Sequence, residues 1–242
     1  MEISVEERYL RNLNTLSPQD QNTLSGAVVC VIGLGGLGGG VCEMLARTGV
    51  GHLIMVDGDS FDISNLNRQL FCQESLIGQS KALAAQKRIQ AVNATVKCTV
   101  HQSWLDDSNV NQILDGADLV VDCLDSISAR FLLQAGARTA GIPLVSGAIA
   151  GVAGQVITIY PDDPGFELIY PDEPAYQDPE GKSPVKRGVE TQTGNLSFCA
   201  MLISAIQVSE AIKVLLGSDH VLRNRLLIVD LFRNSFETVE LM

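Results

Sequence analysis

The sequence predicts a doubly wound, Rossmann-like α/β fold with a largely parallel sheet and an antiparallel C-terminal extension. Short apolar runs alternate with helix-like segments along most of the chain, which is typical of parallel strands covered on both faces. The first apolar run ends in a glycine-rich loop, and the second ends on an acidic residue. At 242 residues the chain is long enough for one large α/β domain, so we expect a single domain over residues 1–242.

In the first half of the chain, continuous apolar runs indicate strands and amphipathic segments indicate helices. Residues 28–32 are five consecutive apolar residues, four of them β-branched, as in a strand buried on both faces. Gly49 and Gly51 stop one helix, and Ser80 is a typical N-cap for the next. In chain order we expect a helix at 6–16, a helix start at Ser17-Pro18, a strand at 28–32, a helix at 41–48, a strand at 53–56, a helix at 80–92 and a strand at 96–102.

The second half continues the alternation and then changes character. The expected elements are a helix at 109–114, a strand at 119–123, a helix at 128–140, strands at 144–146 and 154–160, a helix at 193–216 and a hairpin of 226–231 with 236–241. Residues 161–187 contain six of the eight prolines, which predicts a long irregular crossover loop. The apolar stretch 196–216 is interrupted by Gln207, Glu210 and Lys213, so we expect a buried helix and no membrane span.

The glycine loop is the clearest functional signal. Gly33, Gly35 and Gly38 have the G-x-G-x-x-G spacing, which gives a tight turn, a backbone open to phosphate and close helix–strand packing. Asp57 follows Gly38 by nineteen residues, where a carboxylate can accept hydrogen bonds from ribose hydroxyls. Because strand, helix, strand and acid are all in register, we expect a nucleotide site and not a merely structural glycine turn.

Charged residues after the second strand suggest which nucleotide binds. Arg68 and Lys81 can neutralise phosphate charge, and Asp125 lies just beyond the strand that ends in Asp122. Open α/β sheets place their ligands at that carboxyl edge, where Asp125 can hold Mg²⁺ directly or through water. The combination predicts a polyphosphate bound together with a divalent cation.

These motifs together resemble the MoeB/ThiF/HesA family, the bacterial relatives of ubiquitin-activating enzymes. The resemblance covers nearly the full chain, and N-x-x-R-Q followed by G-x-x-K is its most specific part. The matching segments are residues 8–12, 33–38, 57–59, 65–69, 77–81, 122–125, 143–147 and 210–213.

The resemblance implies an adenylyltransferase that binds ATP and Mg²⁺. It would activate the C-terminal carboxylate of a ubiquitin-like sulfur-carrier protein ending in Gly-Gly and release pyrophosphate. In this family the acid at Asp57 binds ribose, Asn65, Arg68 and Lys81 contact phosphate, and Asp125 binds magnesium. Arg11 matches an arginine that reaches the partner subunit's site, which implies a homodimer. The full set of expected nucleotide-binding residues is Gly33, Gly35, Gly36, Gly38, Asp57, Asp59, Asn65, Arg68, Gln69 and Lys81.

The chain departs from the family pattern in three places. Many relatives bind zinc through two C-x-x-C pairs, but this sequence has no such pair, so no structural zinc is expected. Some relatives carry a cysteine for thioester or persulfide chemistry before the late helix, where residues 187–193 here contain none. Ser126 replaces the asparagine that often follows the magnesium acid.

The net charge and the cysteine pattern indicate which partners and which cellular compartment to expect. The net charge of −11 argues against nucleic acid as a general partner, because phosphate binding needs a basic surface. The six cysteines include no C-x-x-C pair, which suggests reduced thiols in a cytoplasm; among them Cys199 reads as a core thiol and Cys72 as exposed. Trp104 is expected to pack at a strand end and not to stack on adenine.

Other functions stay open on the sequence alone. Adenylation of a different acceptor, such as a peptide C-terminus or a tRNA base, would use the same nucleotide-binding residues. An NAD-dependent oxidoreductase would satisfy the glycine loop, although it needs neither the Mg²⁺ ligand nor the phosphate-neutralising lysine. A non-catalytic carrier-binding subunit is disfavoured because every adenylation residue is present.

Overall fold

The computed structural model describes residues 6–171 and 193–242. Its helices are α1 (Pro18–Gly26), α2 (Gly38–Thr48), α3 (Lys81–Val92), α4 (Val110–Leu114), α5 (Ile127–Ala140), α6 (Phe166–Ile169) and α7 (Ser197–Leu215). Its strands are β1 (Val28–Ile32), β2 (His52–Val56), β3 (Lys97–His101), β4 (Leu119–Asp122), β5 (Leu144–Ala150), β6 (Ala153–Ile159), β7 (Arg225–Asp230) and β8 (Ser235–Glu240).

The strands form one eight-stranded sheet in the order β3-β2-β1-β4-β5-β6-β7-β8. The first five strands in that order pair in parallel, and β6, β7 and β8 add on in antiparallel pairs. This confirms the predicted doubly wound sheet with an antiparallel C-terminal extension. The order reverses at β1, which lies between β2 and β4, so the crevice expected to bind ligands opens beyond the end of β1.

Successive residues of β1 face two different hydrophobic layers. Val29 and Val31 pack into a cluster with side chains of α2, α3 and α7, whereas Cys30 and Ile32 pack into a second cluster with α4, α5 and α6. Strands that are buried on both faces read as continuous apolar runs, which is why the sequence shows this one so clearly.

Helix α7 is a core helix of this sheet. By length and composition it is the only described helix that could cross a membrane, with a mean hydropathy of 1.6. Ile203, Gln207 and Ala211 on its inner face have no exposed surface. Helices in the core of a globular domain can have the same length and hydropathy. The fully buried inner face of α7 therefore agrees with the predicted buried helix.

The predicted helix over residues 6–16 is wrong. Only Glu7–Tyr9 is helical there, as a single 3-10 turn, and the regular helix begins at Pro18 with Ser17 as its N-cap. Asn14 has a φ of +77°, which interrupts a right-handed helix. Tertiary contacts hold the segment instead, because the Asn12 side chain donates to the carbonyl of Thr48 at the end of α2.

The late helix and the crossover also differ from expectation. Helix α7 begins at Ser197 and not at residue 193, because Gly194 has a left-handed φ of +70°. The described part of the crossover is not fully irregular, since it contains the one-turn helix α6; its remainder from residue 172 lies outside the described residues. The other predicted element ends differ from the structure by four residues or fewer.

Candidate nucleotide-binding site

The carboxyl ends of β1, β2 and β4 bring most of the predicted site residues to one edge of the sheet. The glycine loop follows β1, Asp57 follows β2, and Asp125 lies in the turn between β4 and α5. Parallel pairing of these strands places their ends side by side, so the three segments line one crevice. The 3-10 turn Ile63–Asn65 leads into Arg68 and Gln69 along the same crevice.

Two of the loop glycines are required by the backbone itself. Gly33 has a φ of +87°, and a Cβ there would lie 2.8 Å from the carbonyl oxygen of Cys123. A Cβ at Gly38 would lie 1.8 Å from the carbonyl oxygen of Gly33. Any side chain at either position would force the loop open.

Gly35 and Gly36 have room for a Cβ atom, and they face the side of the crevice that carries Gln69 and Arg68. A Cβ at Gly35 would come 3.4 Å from Nε2 of Gln69, and one at Gly36 would come 3.8 Å from the Arg68 stem. The loop backbone is therefore flanked directly by Arg68 and Gln69. Helix α2 begins at Gly38, so the N–H groups of its first turn lie at the same place.

Asp57 ties the end of β2 to the glycine loop. Its Oδ2 accepts a hydrogen bond of 2.7 Å from the backbone N–H of Leu34, and its Oδ1 accepts one of 2.8 Å from Asp59. Burial raises the pKa of Asp57, and these hydrogen bonds together with the nearby Lys81 charge oppose that rise. The predicted ribose acid thus lies next to the loop and helps to shape it.

Lys81 is the first residue of α3, and its ammonium is held in place by Asp59. The two side chains form an ion pair with Nζ 2.6 Å from Oδ2 of Asp59, and the Lys81 side chain is only 8% exposed. The backbone N–H of Lys81 also donates to the carbonyl of Asp59. Asp59, one of the expected nucleotide-binding residues, contacts the lysine directly.

The N-x-x-R-Q segment, residues 65–69, presents one charged and three amide side chains. Nη1 of Arg68 donates to the carbonyl of Ser64 and to Oδ1 of Asn67, at 3.0 and 2.9 Å. Within the described residues this leaves Nε and Nη2 of Arg68 without a hydrogen bond. The Asn65 side chain accepts from the N–H of Asp62 and caps the 3-10 turn.

A buried ion pair fixes the turn that carries Asp125. Asp122 is fully buried; its Oδ2 lies 3.2 Å from the Arg130 guanidinium and accepts a 2.6 Å hydrogen bond from Ser146. Desolvation raises the pKa of Asp122, opposed by Arg130 and by the hydrogen bonds. Arg130 also donates to the carbonyls of Leu124 and Gly147. Sequence reasoning missed Arg130, although a lone arginine next to the apolar run 131–133 was the available signal.

Asp125 itself is exposed, unlike its neighbour Asp122. Magnesium keeps several water ligands and is held by one or two carboxylates together with substrate phosphates. One exposed carboxylate beside the glycine loop, where phosphate is expected, fits that donor set. No cluster of three or more His, Cys, Asp or Glu side chains suited to a metal occurs within residues 6–171 and 193–242.

Two buried side-chain oxygens of the described residues lack a hydrogen-bond partner, and both lie near Arg68. They are Oε1 of Gln69 and Oδ1 of Asn195. Gln69 flanks Gly35, and Asn195 is joined through its carbonyl to the Asn67 side chain at 3.0 Å. Buried polar atoms are almost always satisfied in native proteins, so donors supplied by a bound substrate or by water fit these positions.

Arg11 is the one predicted site residue that lies away from the crevice formed by the glycine loop, Asp57 and Asp125. The adjacent Asn12 bonds to Thr48 at the C-terminal end of α2, whereas the glycine loop lies at the N-terminal end. Eleven helical residues separate these ends by about 16 Å at 1.5 Å per residue. Arg11 therefore does not reach the loop of its own chain.

One of the side chains discussed in the sequence has a different exposure from the one expected. Cys72 is 9% exposed, and burial raises the pKa of its thiol, so the expectation of an exposed thiol is wrong. Cys199 is buried, as predicted. Trp104 lies just beyond the end of β3 with its indole against Gly58, as expected for packing at a strand end, although the residue is 66% exposed.

Comparison with known proteins gives a consistent result over the whole chain. A model of the ThiF family matches residues 9–242. The SAMP-activating enzyme E1 of Haloferax volcanii is 36% identical over 235 residues, covering 96% of this chain and 84% of that protein. The sulfur carrier protein adenylyltransferase of Thermus thermophilus is 34% identical over 232 residues, covering 95% of this chain and 85% of that protein. A crystal structure of E. coli MccB with ATP shares the fold, with a TM-score of 0.77 at 18% identity over 98% of this chain and 72% of that one.

Proposed function

The chain belongs to the ThiF family, and from this membership we propose that it is an ATP-dependent adenylyltransferase. It activates the C-terminal carboxylate of a ubiquitin-like sulfur-carrier protein ending in Gly-Gly. The observation that carries the proposal is the position of Arg68 and Gln69 directly against Gly35 and Gly36, where the loop is open. The relatives named for the activation of SAMP and of sulfur carriers support this choice of substrate.

The position of each site residue suggests its role in the reaction. The loop N–H groups and the N-terminus of α2 bind phosphate oxygens. Nε and Nη2 of Arg68, which have no hydrogen bond within residues 6–171 and 193–242, bind the phosphates, with the ammonium of Lys81 beside them. Asp59 orients Lys81 through their ion pair. Asp57 holds the loop through Leu34 and keeps lone pairs for the ribose hydroxyls.

The reaction is an in-line displacement at the α-phosphorus of ATP. A carboxylate oxygen of the carrier forms a bond to phosphorus, the bond to the β-phosphate oxygen breaks, and pyrophosphate leaves with its electron pair. No general base is required, because a C-terminal carboxylate is already ionised near pH 7. Positioning and charge stabilisation are therefore the main tasks of the site, and Arg68 and Lys81 supply the positive charge.

Asp125 is the residue that we propose to hold Mg²⁺, together with the phosphates of ATP. The ion would supply positive charge to the departing pyrophosphate. The Asp122–Arg130 pair keeps the turn in place, since Arg130 donates to the carbonyl of Leu124, the residue before Asp125.

The assembly and the compartment are also proposals. Because Arg11 lies far from the loop of its own chain, we place it in the site of a second subunit within a homodimer. Six cysteines without a C-x-x-C pair support a cytoplasmic location, and the net charge of −11 argues against nucleic acid as a partner.

The decisive experiment is ATP–pyrophosphate exchange with purified protein, Mg²⁺ and candidate carriers. We expect exchange that requires Mg²⁺ and a carrier ending in Gly-Gly, and none with the same carrier lacking its two last residues. Exchange with a short peptide or with tRNA instead would reassign the acceptor. No exchange with any carrier, together with a thermal shift caused by NAD⁺ and not by ATP and Mg²⁺, would favour an oxidoreductase.

A further inference from the structure

The sole tryptophan of this chain stands exposed at the edge of the sheet that carries the nucleotide site. Trp104 follows the end of β3 and is 66% exposed. A tryptophan side chain presents a large, flat apolar surface that can stack on a planar ligand. The roles proposed for the glycine loop and for Asp57, Lys81 and Arg68 do not involve Trp104.

The position of Trp104 is fixed by its backbone and by Gly58. An ideal Cβ at Gly58 would lie 2.7 Å from the backbone nitrogen of Trp104 and 2.9 Å from Cγ and Cδ1 of its indole. Only a glycine lets the residue after Asp57 approach this segment so closely. The carbonyl of Trp104 also accepts a 2.8 Å hydrogen bond from the Asn109 side chain. The indole therefore lies against the residue next to the ribose acid.

The order of the strand ends matches the order of the parts of a nucleotide. The loop after β1 binds phosphate, and Asp57 after β2 binds ribose in the proposed function. Strand β3 is the next neighbour of β2, with strands about 4.8 Å apart. A nucleotide that runs from the loop past Asp57 continues toward β3, and its base then reaches the segment that holds Trp104.

We infer that the indole of Trp104 stacks on the adenine of ATP and forms one wall of the base subsite. This inference rests on the proposed function, since it takes ATP as the ligand. It adds a specificity element that acts on the base and leaves the phosphate contacts unchanged.

The test uses the indole as its own reporter. Because the chain has one tryptophan, any change in tryptophan emission comes from residue 104. We expect ATP with Mg²⁺ to change this emission saturably, with the same midpoint that calorimetry gives for ATP binding. Tripolyphosphate with Mg²⁺, which has no base, is expected to bind without that change.

Substitution separates stacking from a general disturbance of the site. Trp104→Ala is expected to raise the Kd of ATP about tenfold, within the range measured for the loss of base stacking. The Kd of tripolyphosphate is expected to stay within about twofold, and Trp104→Phe to keep the ATP Kd within about threefold, because a smaller ring still stacks. Phe232→Ala removes another exposed aromatic ring, 76% exposed between β7 and β8, and serves as the matched control with unchanged binding of both ligands.

Each alternative result has a definite meaning. ATP binding by calorimetry with unchanged emission, or with an unchanged Kd in Trp104→Ala, overturns the role of Trp104 and leaves the proposed function intact. Equal weakening of ATP and tripolyphosphate binding in Trp104→Ala also overturns it, because the substitution then acts on the loop. No ATP binding to the parent protein by calorimetry overturns both the inference and the proposed function.

Discussion

Arg68 is the residue on which the proposed charge stabilisation depends most directly. Its stem lies beside Gly36, and Nε and Nη2 have no hydrogen bond among the described residues. We expect Arg68→Ala to slow adenylation by about 10²–10³-fold, the usual effect of removing one donor from a charge-stabilising site. Pyrophosphate exchange at saturating ATP and carrier measures this effect.

Two further variants control for charge and for folding. Arg68→Lys keeps the charge but loses the planar fork, so its rate should fall between those of Arg68→Ala and the parent. Arg233→Ala removes an exposed arginine with 83% of its side chain accessible and should leave the exchange rate unchanged. An Arg68→Ala rate within about twofold of the parent would place Arg68 outside the charge-stabilising site.

At the scale of single residues, the sequence predicted which side chains would lie at the crevice better than it predicted their contacts. Asp57, Arg68 and Lys81 stand at recognisable distances from the glycine loop, so they could be predicted. The pairing of Lys81 with Asp59 could not, because it depends on how the turn before α3 folds back onto the end of β2. Cys72 was assigned to the surface because tertiary packing beside the buried Phe71 leaves no trace in a local pattern.

The turn from β1 into α2 is the element whose geometry the site requires. A Cβ at Gly38 would lie 1.8 Å from the carbonyl oxygen of Gly33, a backbone atom that a rotamer change cannot move aside. Overpacking of this kind costs about 1–3 kcal/mol, and strain confined to the loop would raise the Kd of ATP about 5- to 150-fold. We therefore expect Gly38→Ala to weaken ATP binding in calorimetry.

Gly26→Ala is the matched control for that experiment. Gly26 ends α1, its φ is not in the left-handed region, and a Cβ there would meet nothing within 4 Å. This variant should bind ATP with the parent's Kd. If Gly38→Ala also bound ATP within about twofold of the parent, the loop would not adopt this geometry with nucleotide bound.

Element prediction succeeded where one local signal was strong and failed where tertiary contacts decided the outcome. The continuous apolar run of β1 and the Ser80 cap of α3 gave those elements nearly their observed bounds. The N-terminal segment has helix-compatible spacing, yet Asn12 and Tyr9 anchor it to the end of α2 as turns. Propensity is a weak prior that such contacts override.

At the scale of the whole molecule, the position of Arg11 makes the proposed site incomplete within one chain. The segment that carries Arg11 is anchored at the C-terminal end of α2, about 16 Å from the loop by helix length. In a two-fold symmetric dimer, the same arginine of the neighbouring chain can complete each site. Exposed Leu196 and Phe198 at the start of α7 lie on the loop side of the molecule, where Ala200 faces Gly36, and offer an apolar surface for that contact.

Complementation between two inactive variants tests this arrangement. Arg11→Ala and Asp125→Ala should each lose adenylation activity while remaining dimeric by sedimentation. In a mixed dimer, the site with its own Asp125 receives the intact Arg11 of the other chain, whereas the second site lacks both residues. Random exchange of equal amounts therefore restores about a quarter of all sites, since half of the dimers are mixed and each has one complete site.

Mass spectrometry of the intact dimers verifies that the chains have exchanged, and each variant mixed with itself is the control. Activity that stays at the level of the single variants after proven exchange would mean that Arg11 acts outside the partner's site, and the shared-site dimer would have to be abandoned.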